Sequence, residues 1–120
     1  MNSLSTIKSA FIYFFLILIG TNLLAGSSKF FYTGTKLYNL CRANTPIDEA
    51  LCEGYILGVQ DSIYSGHLSE HFDVCLPEGV EPGQLRLQLI KFIENNPDIM
   101  NFAAEGLVAK SLETSYSCKN

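Results

Sequence analysis

The chain has 120 residues, with 8 Lys and Arg against 12 Asp and Glu, so its formal charge is −4 at neutral pH. This length is enough for one small domain and excludes multidomain enzymes, TIM barrels and dinucleotide-binding folds of ordinary size. The acidic balance, together with the lack of any cluster of Lys and Arg, argues against a nucleic-acid-binding protein.

The first 25 residues have the order of a secretory signal peptide. Lys8 precedes an uninterrupted apolar run at 10–19, and small residues follow at 25–27. The run is only about half as long as a membrane-spanning helix requires, so a cleaved signal is favoured over an uncleaved anchor. We expect cleavage after Ala25 or Ser27, which leaves a soluble exported domain at 28–120 with no stable membrane anchor.

Removal of residues 1–25 changes the average properties of the chain. Only one charge is lost, that of Lys8, so seven Lys and Arg remain against twelve Asp and Glu, a balance of −5. Much of the apparent hydrophobicity therefore belongs to the signal peptide, and the acidity belongs to the domain.

All four cysteines of the chain, Cys41, Cys52, Cys75 and Cys118, lie in the predicted exported domain. An even number of cysteines in an exported chain predicts disulfides, here two, because the compartment is oxidising. A zinc site usually contains a tight Cys-x-x-Cys pair. No such pair is present, so we expect no metal site, although His67 and His71 are spaced as ligands on one helix face would be.

Four cysteines allow three pairings, which the sequence leaves open. We favour Cys52–Cys75, which would tie the start of the longest helix to the segment beyond its following loop. The second pair is then Cys41–Cys118, which would attach the C-terminal tail to the first helix. Each bond would contribute about 2–4 kcal/mol to stability.

Helix signals recur along the exported domain, whereas strand signals are weak. Thr35 is predicted to cap a short first helix at about 35–43. Thr45 as N-cap and Pro46 at the first helical position predict a second helix that extends to about Tyr64. Its core stripe follows the helical period and consists of Cys52, Ile56, Val59 and Ile63.

Two further helices are predicted in the second half of the chain. Pro82 begins the third, with Glu81 as a poor cap and Gln84 placed as in a capping box. Residues 95–98 end that helix and begin a fourth, whose core stripe comprises Met100, Ala103, Ala104, Leu107 and Ser111. The predicted fold is therefore an all-α, disulfide-stapled bundle of about four helices.

Two glycines lie inside the second predicted helix, and each costs about 1 kcal/mol relative to Ala. We predict that Gly54 and Gly58 allow close packing against another helix, either within the monomer or across a dimer. The alternative is a ligand or a partner that contacts the helix backbone directly.

No catalytic set is recognisable in the sequence. The chain has no Gly-x-Ser-x-Gly nucleophile elbow and no phosphate-binding glycine loop, and cysteines in disulfides supply no thiolate. We therefore predict no catalytic residue, no cofactor and no enzyme activity.

The polar loop at 65–74 is the predicted partner-binding loop, because a loop on a disulfide-stapled scaffold can insert into a cleft of a partner protein. Its polar members are His67, Glu70, His71 and Asp73. The alternative is that this loop is only solvated.

Four stretches of the exported domain match a known family in order. They are FYTGTKL at 31–37, CEGYILGVQD at 52–61, CLPEGVEPGQL at 75–85, and a last group made of Pro97, Ala103, Ala104, Leu107, Val108, Leu112 and Cys118. With the four cysteines, these stretches span nearly all of 30–118. The chain thereby resembles the Rap/Tai family of type VI secretion amidase immunity proteins.

This resemblance implies a small helical periplasmic protein, often a homodimer, that is not an enzyme. It would bind a peptidoglycan-cleaving amidase toxin and block its active-site cleft. An acidic surface would suit a basic toxin cleft and raise the association rate. The alternatives are a small periplasmic acid-stress chaperone of the HdeA sort and an exported helical binding domain without a toxin partner.

Overall fold

The computed structural model describes residues 30–118, and the predicted signal peptide with its cleavage sites lies outside them. The described residues form four α-helices and one 3₁₀ turn at Pro97–Ile99. The helices are α1 (Gly34–Arg42), α2 (Pro46–Tyr64), α3 (Pro82–Asn95) and α4 (Ala104–Tyr116). The predicted all-α bundle of about four helices is confirmed. Across residues 30–118, no helix is both long and apolar enough to cross a membrane.

The start of α2 is as predicted, but the start of α1 is not. Thr45 caps α2, because its Oγ1 accepts a hydrogen bond of 3.2 Å from the Asp48 amide. In α1 the capping residue is Thr33, whose Oγ1 accepts from the Lys36 amide at 3.4 Å, and the predicted cap Thr35 is wrong. The Thr35 hydroxyl instead donates to the Met100 carbonyl at 3.1 Å, so this residue joins α1 to the segment before α4.

The fourth helix begins later than predicted, because backbone carbonyls of the segment before it accept hydrogen bonds from the first turn of α1. Residues 97–99 form only one 3₁₀ turn, and α4 begins at Ala104. The Phe102 carbonyl accepts from the Gly34 amide at 2.9 Å, and the Met100 carbonyl accepts from the Thr35 amide at 2.8 Å. These carbonyls satisfy amides that have no partner within the first turn of α1. They are therefore unavailable to extend α4 backwards.

The core lies between the four helices and is built from one stripe of each. The predicted stripe of α2 is confirmed, since all of its members are buried. The other buried apolar side chains of the helices are Leu37 and Cys41 from α1, Leu85, Leu89 and Ile93 from α3, and Ala104, Leu107, Val108, Ala109 and Leu112 from α4.

The cysteines pair differently from the prediction of Cys52–Cys75 and Cys41–Cys118, which is wrong. The two disulfides are Cys41–Cys52 and Cys75–Cys118. The turn between α1 and α2 brings the Cα atoms of Cys41 and Cys52 within 5.1 Å of each other, and both side chains are fully buried.

The second disulfide joins two segments that meet side by side at the end of α4. Val74 forms an isolated antiparallel bridge with Ser117, and the Cys75 amide donates to the Tyr116 carbonyl at 2.7 Å. Cys75 and Cys118 are both exposed, in contrast to the buried pair.

Arg86 of α3 reinforces the α1–α2 junction. Its guanidinium forms ion pairs with Glu49 at 3.2 Å and Glu53 at 3.3 Å, both in α2. The same group donates to the Cys41 carbonyl at the end of α1 at 3.1 Å. Because the Arg86 side chain is only 17% exposed, these charge-assisted contacts are partly shielded from water.

Thiol counting tests the observed pairing. Cys41→Ala with Cys52→Ala removes one whole bond, so this variant is expected to contain no free thiol and to lose about 2–4 kcal/mol of unfolding free energy. The variant Cys52→Ala with Cys75→Ala breaks both bonds and is expected to expose two free thiols and to be less stable. Thiol titration in denaturant and thermal unfolding measure both effects. Free thiols in the first variant would contradict the pairing.

Two glycine substitutions are expected to shift stability in opposite directions. A Cβ on Gly34, which is buried, would collide with the Leu107 side chain and lie 2.8 Å from the Met100 carbonyl oxygen. Gly34→Ala is therefore expected to cost about 1–3 kcal/mol. Gly54→Ala adds a methyl that meets no heavy atom within 4 Å of another part of the described chain, and should gain up to about 1 kcal/mol through helix propensity. Urea unfolding measures the change in unfolding free energy for both variants, and equal changes would contradict this prediction.

Candidate partner-binding surface

The loop at 65–74 leaves α2 at a glycine. Gly66 has a φ of +92°, a left-handed conformation in which glycine carries no steric penalty. His67, Glu70 and His71 are exposed on this loop, whereas Asp73 is half-buried. The Asp73 amide donates to the Glu113 side chain of α4 at 3.2 Å, so the end of the loop is attached to the bundle.

Apolar anchors hold the rest of the loop. Leu68 and Phe72 pack against the core, and Val74 is buried beside the end of α4. The amides of His71 and Phe72 both donate to the Leu68 carbonyl, which closes a local turn. With the Cys75–Cys118 bond just beyond, the loop presents its polar side chains from a constrained backbone. Whether they contact a partner stays a prediction.

The two glycines of α2 do not have the packing role predicted within the monomer. Gly54 and Gly58 are exposed, and a Cβ on either would meet no heavy atom within 4 Å from another part of residues 30–118. They lie on the side of α2 opposite its core stripe. Packing against another helix of the described monomer is therefore wrong, while contact with a partner or a second copy stays open.

The outer side of α2 carries exposed apolar side chains as well as the two glycines. Ile47 is 72% exposed and Leu51 is 53% exposed, and both align with Gly54 and Gly58 at helical spacings of four, three and four. The sequence-based prediction places Gly54 and Gly58 with Leu51 on a stripe next to the core stripe, but it includes neither the exposure of this stripe nor its extension to Ile47. The signal was present, because the two sets follow the same helical period on opposite faces of one helix.

Aromatic residues extend this surface toward the start of the described chain. The Tyr32 ring lies edge-on to both Phe31 and Tyr55, with centroids 5.1 Å and 5.3 Å apart. Phe31 remains 82% exposed. Burial raises the pKa of the Tyr55 phenol, and the nearby Glu105 carboxylate and Tyr32 raise it further. Tyr55 is therefore neutral at physiological pH.

Two adjoining pockets make this surface concave. The first, of about 390 Å³, lies over Gly54 and Gly58; the second, of about 240 Å³, lies beside Phe30 and Phe31. Both are also lined by Tyr55 and Glu105, so the pockets adjoin at these two side chains, and together we call them the Tyr55 groove.

The polar groups of the described chain do not form a metal centre. Among residues 30–118, no group of three or more His, Cys, Asp or Glu side chains is arranged to hold a metal ion. His67 and His71, the two histidines considered as metal ligands, lie on the exposed part of the loop.

A comparison with protein families identifies the chain. The family model of the Rap1a immunity proteins matches residues 33–118, which include all four cysteines, the 65–74 loop and most of the Tyr55 groove. No curated protein matches the chain. Because the matched region spans well over half of the sequence, it confirms the predicted resemblance: the chain belongs to the family of Rap1a immunity proteins.

Proposed function

We propose that this protein is exported to the periplasm, where it binds and inhibits a peptidoglycan amidase toxin of a type VI secretion system. The match to the Rap1a immunity proteins over residues 33–118 carries this proposal. The protein acts by occupying the toxin and has no enzyme activity of its own. The family match favours this function over an acid-stress chaperone.

The cysteine chemistry supports the proposed compartment. Both disulfides lie in the described domain, and none of its cysteines is free. Structural disulfides persist in oxidising compartments such as the bacterial periplasm. The apolar run at 10–19, with its preceding Lys8, supplies the expected export signal.

The distribution of charge supports a basic partner. Residues 30–118 contain five Lys and Arg against twelve Asp and Glu, a formal charge of −7. Three of the five cations form ion pairs within the domain: Arg42 with Glu94, Arg86 with Glu49 and Glu53, and Lys110 with Glu113. The surface therefore carries a largely uncompensated negative charge, which attracts a basic toxin surface and accelerates association.

The 65–74 loop is proposed to enter the toxin cleft. Its anchors, Leu68 and Phe72, limit the conformational entropy that is lost when its exposed His67, Glu70 and His71 side chains become ordered against a partner. The homodimer implied by the family resemblance belongs to the same proposal and is measured by light scattering of the purified protein.

Co-expression with a toxin tests the function. The full chain is produced in a bacterial host with a periplasmic amidase encoded beside its gene. We expect survival of the host, co-purification of the two proteins and stoichiometric loss of amidase activity, with a Kd in the nanomolar range, about −12 kcal/mol. A chain lacking residues 1–25 should stay in the cytoplasm and give no protection.

The controls separate the possible results. A catalytically inactive amidase should bind equally well and leave the host unharmed. The variant His67→Ala, Glu70→Ala, His71→Ala should fold normally and bind more weakly. Failure of the wild-type protein to bind the amidase would overturn the proposed function, and protection of client proteins at strongly acidic pH would favour the chaperone.

A further inference from the structure

We propose that the Tyr55 groove is a second toxin-binding surface, one that receives a basic segment of the partner. A Lys or Arg side chain of that segment pairs with Glu105 and lies against the Tyr55 ring, while small or apolar neighbours contact the backbone at Gly54 and Gly58. This inference rests on the proposed function, because it names a further part of the chain that would hold the same partner.

The groove exposes apolar surface that the described monomer does not cover. Phe30 and Phe31 are each more than half exposed and line its second pocket. Ile47 and Leu51 are also more than half exposed and follow the helical period of Gly54 and Gly58 along the same side of α2. Contiguous exposed apolar surface of this kind marks an interaction site in a soluble domain. The bare backbone at Gly54 and Gly58 also permits an approach that any side chain there would prevent.

Glu105 gives the groove its charge preference. It is exposed in the first turn of α4, lines both pockets, and has no ion-pair partner among residues 30–118. No Lys or Arg of residues 30–118 lines either pocket. A partner cation at this position would gain an ion pair to the carboxylate and a cation–π contact with a tyrosine ring.

A basic segment fits the groove better than a second copy of this chain. A second copy that packed on this surface would bring its own exposed Glu105 and Asp61 next to the same carboxylates of the first copy. Self-association through this surface would therefore bring like charges together, whereas a basic segment neutralises them. Charge complementarity thus favours a basic segment of the proposed toxin partner over a second copy.

The experiment measures affinity for the purified, catalytically inactive amidase. Glu105→Gln is expected to weaken binding roughly tenfold and to reduce its dependence on salt, because an ion pair is lost. Glu78→Gln is the matched control: it removes the same charge from an exposed site outside the groove, and should bind like the wild type.

A second variant tests the shape of the groove. Gly58→Gln fills the first pocket from a helical position with open space around it, so the protein should fold with an unchanged or higher Tm. We expect it to weaken amidase binding by roughly tenfold or more.

Each alternative gives a distinct result. If the wild type binds the amidase and both groove variants bind it equally well, the groove proposal is overturned while the proposed function stands. Unchanged amidase affinity with loss of a homodimer in Gly58→Gln would assign the groove to a second copy. Unchanged affinity with a lower Tm would assign it to another segment of this chain.

Discussion

The covalent closure of α1 onto α2 by Cys41–Cys52 is the constraint on which the rest of the structure depends. The bond is fully buried, and Arg86 of α3 binds the Cys41 carbonyl together with Glu49 and Glu53. Three helices therefore converge at one small region. Since this fixes the rotation of α2 about its axis, the core stripe faces inward and the second apolar stripe must face outward.

The other connections hold the remaining surfaces in place. The carbonyls of Met100 and Phe102 bind the first amides of α1, which joins the start of that helix to the segment before α4. The Cys75–Cys118 bond and the Val74–Ser117 bridge attach the end of the long loop to the end of α4. Both candidate binding surfaces thus rest on a cross-linked frame, which reduces the entropy lost on association.

A small domain in which Asp and Glu outnumber Lys and Arg is suited to binding a basic partner. Its family membership indicates immunity, and its excess of carboxylates favours association with a basic partner surface. The proposed loop contact and the proposed groove contact differ in chemistry, because the loop offers exposed polar side chains while the groove combines aromatic rings, bare backbone and one carboxylate. Recognition through two dissimilar surfaces would favour one cognate toxin over related ones.

The sequence by itself determined the four helices, the cap at Thr45, the core stripe of α2 and the family, because caps, helical periodicity and motif order are local properties of the chain. Only the tertiary structure decided the cysteine pairing, the cap of α1, the late start of α4 and the exposure of Gly54 and Gly58. Each of these depends on which distant segments meet: α1 reaches the carbonyls before α4, Cys75 reaches Cys118, and no helix of the described chain covers the outer face of α2. Local propensity carries no information about contacts between segments distant in sequence, so these features are decided only by the tertiary structure.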